Sequence, residues 1–252
     1  AEILAQTATF LSAAGKPERC EEHLARAYVQ APNLPVVRDA KARHAIQQQD
    51  PDEAVRLYRE AIANGSTNPV AFLRSATSRF NGSSADGRDQ SGSGGLNATT
   101  AVDEIRRALQ FSPGNFEAYV LLGRAFYLLP KVTEDLLPEL AAGLTPGEES
   151  WQLRYYYGLL QERLGRPEEC LAEFQRILAL PDLEDQTKRY VEQQRLNVNF
   201  RTVAAKVKTL VEEKQFAAAK SLLEESVASA DSRARDNYTR LLNWVRQREE
   251  QR

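Results

Sequence analysis

Apolar residues recur along this chain at i, i+4 and i+7, the spacing that lines one face of a helix. Five such sets stand out: Cys20/Leu24/Ala27, Ala54/Tyr58/Ala61, Ala101/Ile105/Ala108, Cys170/Phe174/Ile177 and Ala219/Leu223/Ser226. Signals for one helix ending and another starting come just before several of them. In Gly15-Lys16-Pro17-Glu18 and Gly165-Arg166-Pro167-Glu168, glycine supplies a left-handed cap, proline fits a first helical turn, and glutamate sits at the positive end of the helix dipole. Asp50-Pro51-Asp52-Glu53 starts the helix of Ala54 in the same way. The pattern predicts that these segments are the second helices of helical hairpins, with the first helices upstream. Units then begin near Ala1, Pro35, Pro69, Phe116 and Trp151, at spacings of 34, 34, 47 and 35 residues.

One first helix carries a stronger signal. Tyr119-Val120-Leu121-Leu122-Gly123-Arg124-Ala125-Phe126 has the W-x2-L-G-x2-Y shape of the tetratricopeptide repeat, and three of the four spacings agree with its period of about 34 residues. The chain therefore resembles the tetratricopeptide-repeat family over roughly residues 1–182 and again at 200–230. No unit has the family's Trp in its usual slot, and Pro138 interrupts the second helix of the fourth unit. The resemblance implies an all-α fold, a right-handed superhelical stack of helical hairpins of the α-solenoid kind. About five hairpins are expected in 1–182, and a further hairpin with a C-terminal capping helix in 183–252. Cys20 and Cys170 fall in the small-residue slot where two helices of a hairpin approach closely, a place for a small hydrophobe. They lie four repeats apart, too far for a disulfide.

Irregularities interrupt the period. The third unit is too long by 13 residues, and the excess lies in residues 81–100, rich in Gly and Ser and without an aromatic residue. This composition predicts a flexible insertion, with Thr100 capping the helix that follows. No strand precedes it and no G-x4-G-K-[ST] pattern occurs in it, so a phosphate-binding loop is not indicated. After Pro181 the period falters. Residues 184–197 read as a lone polar helix, 200–213 and 216–229 as a hairpin, and 232–250 as a terminal helix with one apolar stripe.

Charge narrows the function classes. The chain has 33 basic and 35 acidic residues and a net charge of −2, without the basic excess of a nucleic-acid binder. No apolar run approaches the roughly 20 residues that span a bilayer. The sequence contains no methionine, which predicts a fragment or a processed product, from either a cytoplasmic or an exported bacterial protein. The histidines, His23 and His44, stand on separate helices without ligand spacing; His23 lies three residues from Cys20 on one helix, within reach of one metal ion, but Cys20 is assigned to the buried slot. No catalytic, cofactor-binding or metal-ligating constellation is visible.

The expected function is that of a non-catalytic scaffold holding a protein or peptide partner. The alternative is a helical-repeat accessory region of a larger enzyme, such as a hydrolase or peptidase, with its catalytic part outside this chain. In the family, first helices line a concave groove. Carried over unit by unit, this implies Asp39 and Arg43, then Leu73, Thr77 and Phe80, then Val120, Arg124 and Tyr127, then Gln152, Tyr155 and Leu159. Arg43, Phe80, Arg124, Tyr127, Tyr155 and Leu159 are the expected anchors, because aromatic and arginine side chains dominate interface energetics. Asp39, Val120 and Tyr155 stand where chaperone-binding relatives carry the Lys and Asn of a carboxylate clamp, which argues against a C-terminal carboxylate as ligand.

Overall fold

The computed structural model describes residues 1–81, 93–144, 150–230 and 232–250, and these form thirteen α-helices and no strand. The chain divides into two compact units, Ala1–Gly143 and Leu144–Arg252. The first holds α1 (Glu2–Ala13), α2 (Pro17–Gln30), α3 (Pro35–Gln47), α4 (Pro51–Ala63), α5 (Pro69–Asn81), α6 (Ser93–Phe111), α7 (Phe116–Leu128) and α8 (Leu136–Ala141). The second holds α9 (Trp151–Arg163), α10 (Pro167–Leu178), α11 (Asp185–Glu212), α12 (Phe216–Ser229) and α13 (Ser232–Glu250). Helices α1, α3, α5, α7 and α9 begin within one residue of the five unit starts read from the sequence.

Five turns share one geometry. Gly15, Gln49, Gly65, Gly165 and Lys214 have positive φ. In each, the next residue's N–H donates to the carbonyl five residues earlier: Lys16 to Leu11, Asp50 to Ala45, Ser66 to Ala61, Arg166 to Gln161 and Gln215 to Leu210, all at 2.7–2.9 Å. This closes the exposed end of one helix and aims the chain back along it, where proline at the first turn of α2, α4 and α10 starts the return.

The hairpins hold one another. Ala5, Ala8 and Leu11 of α1 bury against Cys20, Leu24 and Ala27 of α2 and against Val37 and Ala40 of α3. The other side of α3, Ala42 and Ala45, joins Ala54, Leu57 and Tyr58 of α4 and Ala71 of α5. The first hairpin thus shares its core with the second, and the second with the start of the third, as nearest-neighbour stabilisation in a repeat stack requires. In the second unit, α9, α10 and the first half of α11 enclose Tyr155, Leu159, Cys170, Phe174, Ile177, Val191 and Val198. The second half of α11 packs with α12 and α13 around Val207, Phe216, Leu223, Tyr238, Leu242 and Val245.

Four expectations need correction. The insertion expected over 81–100 is helical at both ends: Asn81 closes α5, and 93–100 open α6, with Ala98 buried one turn ahead of Ala101 and Val102. Thr100 therefore lies inside α6 rather than at its start, while residues 82–92 lie outside the described residues. The separate helices expected at 184–197 and 200–213 are one continuous helix, α11, because neither Gly nor Pro interrupts it and its buried Val198 spans the supposed gap. A boundary near residue 182 is accordingly replaced by one at 143/144, since α11 belongs at once to the core of α9 and α10 and to that of α12 and α13. Pro138 stands in the first turn of the six-residue α8, where the missing N–H costs nothing. Among the described residues no helix is long and apolar enough to cross a membrane.

Candidate functional site

In the first unit, α1, α3 and the turn between α4 and α5 enclose a cleft of about 560 Å³. Glu2, Gln6 and Thr9 of α1 form one wall, at helical spacing on one face. Asp39 and Arg43, one turn apart on α3, reach into it from below, and residues 65–68 close the far side. The first helices of two successive hairpins and the entry to a third therefore meet at this cleft.

Its floor is polar and buried. Asp39 is only 8% exposed and Ser66 6%. The Ser66 hydroxyl donates to Asp39 Oδ2 at 2.7 Å and accepts from the Asn68 backbone N–H at 3.1 Å, so its proton has no other use. Asn68 Oδ1 accepts from the Val70 N–H at 3.1 Å, at the start of α5. That bond fixes which way the amide faces and leaves Nδ2 turned away from the helix. Asn68 Nδ2 and Asp39 Oδ1 are both buried, with the Asn68 amide beside the Asp39 carboxyl. Burial pushes the Asp39 carboxyl above the ordinary carboxylate range; Ser66, the neighbouring Asn68 amide and the positive charge of Arg43 pull it partly back. Arg43 is exposed and makes no ion pair among the described residues. Behind it the Tyr58 hydroxyl is buried, and burial raises its pKa, which the nearby Arg43 pulls partly back.

The other expected anchors divide by burial. Phe80 is 2% exposed and serves as a platform: the Arg124 guanidinium lies over its ring, 4.8 Å from the centroid, a cation–π contact between α5 and α7. Arg124 is half-buried and Tyr127 is exposed, so this pair and Arg43 are the anchors that reach the surface of the first unit. In the second unit Tyr155 and Leu159 are core residues rather than groove anchors. The Tyr155 ring stacks on Phe174 with centroids 5.4 Å apart, and its hydroxyl shares a 2.9 Å hydrogen bond with that of Tyr190. The register of α9 is the expected one, but α10 and α11 both cover this face, which a reading of first helices alone does not show.

Cys20 has a different neighbour from the one its own helix offers. His23 Nδ1 bonds to the Arg19 carbonyl at 2.8 Å, and it is His44 of α3 whose Nδ1 comes within 3.7 Å of the Cys20 sulfur. Among the described residues no group of three or more metal-ligating side chains exists. Both cysteines are buried free thiols. Burial pushes Cys20 up and Cys170 up to about 12, which leaves almost no thiolate at neutral pH. Neither should react with iodoacetamide at pH 8 in the folded chain, and both should react once guanidinium unfolds it. Labelling of a folded-state thiol, read by intact mass, would overturn their place in the hairpin cores.

Nothing in the sequence pattern singles out Ser66 and Asn68. The stretch Asn64-Gly65-Ser66-Thr67-Asn68-Pro69 reads as an ordinary polar turn, and only the approach of α3 makes two of its side chains part of a buried floor.

No family model matches this chain, and no curated protein matches it. Solved structures do. YrrB, described as a TPR protein with an unusual peptide-binding site, is 15% identical with a TM-score of 0.57 over 75% of this chain and 90% of its own. The C-terminal part of a TPR repeat-containing protein from Cytophaga hutchinsonii is 13% identical with a TM-score of 0.52, covering 96% of this chain and 95% of its own. A tetratricopeptide repeat protein from Parabacteroides merdae is 13% identical with a TM-score of 0.50, covering 97% and 98%. At these identities the likeness is one of fold, and that fold is the tetratricopeptide-repeat array of helical hairpins.

Proposed function

We propose that this chain is a non-catalytic protein-interaction scaffold that holds a peptide segment of a partner in the cleft of its first unit. The observation that carries the reading is the cleft itself, built by the exposed faces of α1 and α3 and floored by buried polar groups. YrrB, similar in fold, is described as having a peptide-binding site, which supports the same use here. The near balance of 33 basic and 35 acidic residues favours a protein or peptide over nucleic acid. The same cleft would serve equally if the chain were the helical-repeat accessory region of a larger enzyme.

The test is selection of random heptapeptides on the immobilised full chain, followed by hydrogen exchange with the best binder. Peptides should be recovered above an unrelated helical control, and binding should slow exchange in residues 1–9, 35–43 and 65–68. Recovery of none, or protection confined to other segments, would overturn the reading.

A further inference from the structure

We infer that α1 pairs with α1 of a second copy of this chain, the two helices antiparallel, through the stripe that carries Ile3 and Phe10. Neither residue lines the cleft. With 3.6 residues per turn, they sit about a quarter turn around α1 from Glu2, Gln6 and Thr9, so this surface is separate from the candidate peptide site.

Ile3 is 77% exposed and Phe10 73%. They stand two helical turns apart on one stripe, with Thr7 between them. Among the described residues they are the one pair of exposed large apolar side chains on a common helix. The later hairpins cover the same stripe. In the place of Ile3 stand Val37 of α3, Ala71 of α5 and Ala118 of α7, all fully buried. Val37 packs with Cys20, Leu24 and Ala27 of α2, and Ala71 with Ala54, Leu57 and Tyr58 of α4. In the place of Phe10 stand His44 and Ser78, half-buried, and Ala125, fully buried. In the second unit α9 carries a pair as bulky as that of α1, Leu153 and Leu160, and both are fully buried. The stripe is thus a packing surface in every other first helix. On α1 the same interface continues and stands open, with two large apolar side chains in water.

A second copy fits that stripe. Its residues, Ile3, Gln6, Thr7, Phe10, Ala13 and Ala14, carry no charge, so nothing repels an identical face. Turned antiparallel, the stripe is self-complementary: Phe10 of each copy lies along the other beside Ile3, with the small Thr7 near the two-fold axis. Charge favours the same orientation. Glu2 opens α1 and Lys16 follows its end, both exposed, and an antiparallel partner brings the Lys16 end of one copy to the Glu2 end of the other. A parallel pair would set Glu2 against Glu2. A head-to-tail contact lacks a matching face, because the exposed side of α13 is polar and its Trp244 lies under Arg248. Two large side chains per copy place the contact at the low end of specific interfaces, about 1,000 Å² in all, so the pairing is reversible.

Sedimentation equilibrium of the full chain is the test. The average mass should climb from one chain toward two, with a dissociation constant on the order of 10–100 µM. Phe10→Glu should raise that constant about thirtyfold or more, as expected when a central aromatic anchor gives way to a charge. Phe10 is exposed, so this variant should melt like the parent. Val29→Glu, on an exposed residue of α2 away from the stripe, should leave the constant unchanged. Orientation is read with a short bismaleimide, to which the buried native thiols do not respond. It should join two Thr7→Cys chains, whose residues flank the two-fold axis, and not two Ala14→Cys chains, which the antiparallel turn holds at opposite ends. A chain that stays monomeric to about 500 µM overturns the inference and assigns the stripe to a helix of a different protein. A dimer that persists unchanged in Phe10→Glu, or one in which Ala14→Cys cross-links as readily as Thr7→Cys, overturns it as well.

Discussion

Tyr155→Ala should destabilise the second unit by about 3–5 kcal/mol, the range for deleting a buried aromatic side chain. The ring is 8% exposed, stacks on Phe174 and touches Trp151, Tyr156 and Tyr190. Its removal opens a cavity between α9, α10 and α11 that the long α11 cannot collapse to fill, because the same helix is held further along by α12 and α13. Tyr155→Phe keeps the ring and removes only the hydroxyl bonded to Tyr190, so it should cost about 1 kcal/mol. Guanidinium unfolding followed by circular dichroism measures both, and hydrogen exchange over α9 and α10 locates the loss. An alanine variant that unfolds with the parent's midpoint would return Tyr155 to the list of groove anchors. The contrast matters for any binding experiment on this chain, because lost binding in a Tyr155→Ala variant would report lost folding.

Glu173→Ala should cost a similar amount, about 3–5 kcal/mol, for an electrostatic reason. Glu173 is buried on α10, accepts from Arg154 of α9 at 3.1 Å and also pairs with Arg176. The two arginines differ. Arg176 is mostly exposed and water replaces its partner, so that pair contributes little. The Arg154 side chain is 16% exposed and Glu173 7%, so deleting the carboxylate takes a buried counter-charge from a cation largely shut away from solvent. Truncating both residues, as Arg154→Met with Glu173→Met, removes the cation together with its buried partner and should recover part of the loss. A single alanine variant that loses under about 1 kcal/mol would show that water reaches Arg154 and that the pair behaves as a surface one.

Both predictions concern residues whose roles depend on what lies across from them, and that is where the sequence stops being legible. Local signals determined a great deal. Gly15, Gly165 and the Asp50-Pro51 start were readable because a left-handed cap and a first-turn proline are properties of a few adjacent residues. The five unit starts and the small-residue slots of Cys20, Ala54, Ala101 and Cys170 were readable because helical periodicity repeats along one chain. The pairing of successive segments into hairpins followed from short connections. Long-range packing decided the rest. Asp39 looked like one groove residue among several until the α4–α5 turn placed Ser66 and Asn68 against its carboxyl. His44, 24 residues away, displaced His23 as the neighbour of Cys20. Tyr155 kept its register and lost its surface, because α11 runs unbroken from residue 185 to 212 and lays Tyr190 over it. Register along a helix is set by the residues of that helix, whereas exposure is set by whichever other helix arrives to cover it, and in this chain the covering helix was the one whose length the sequence pattern cut in two.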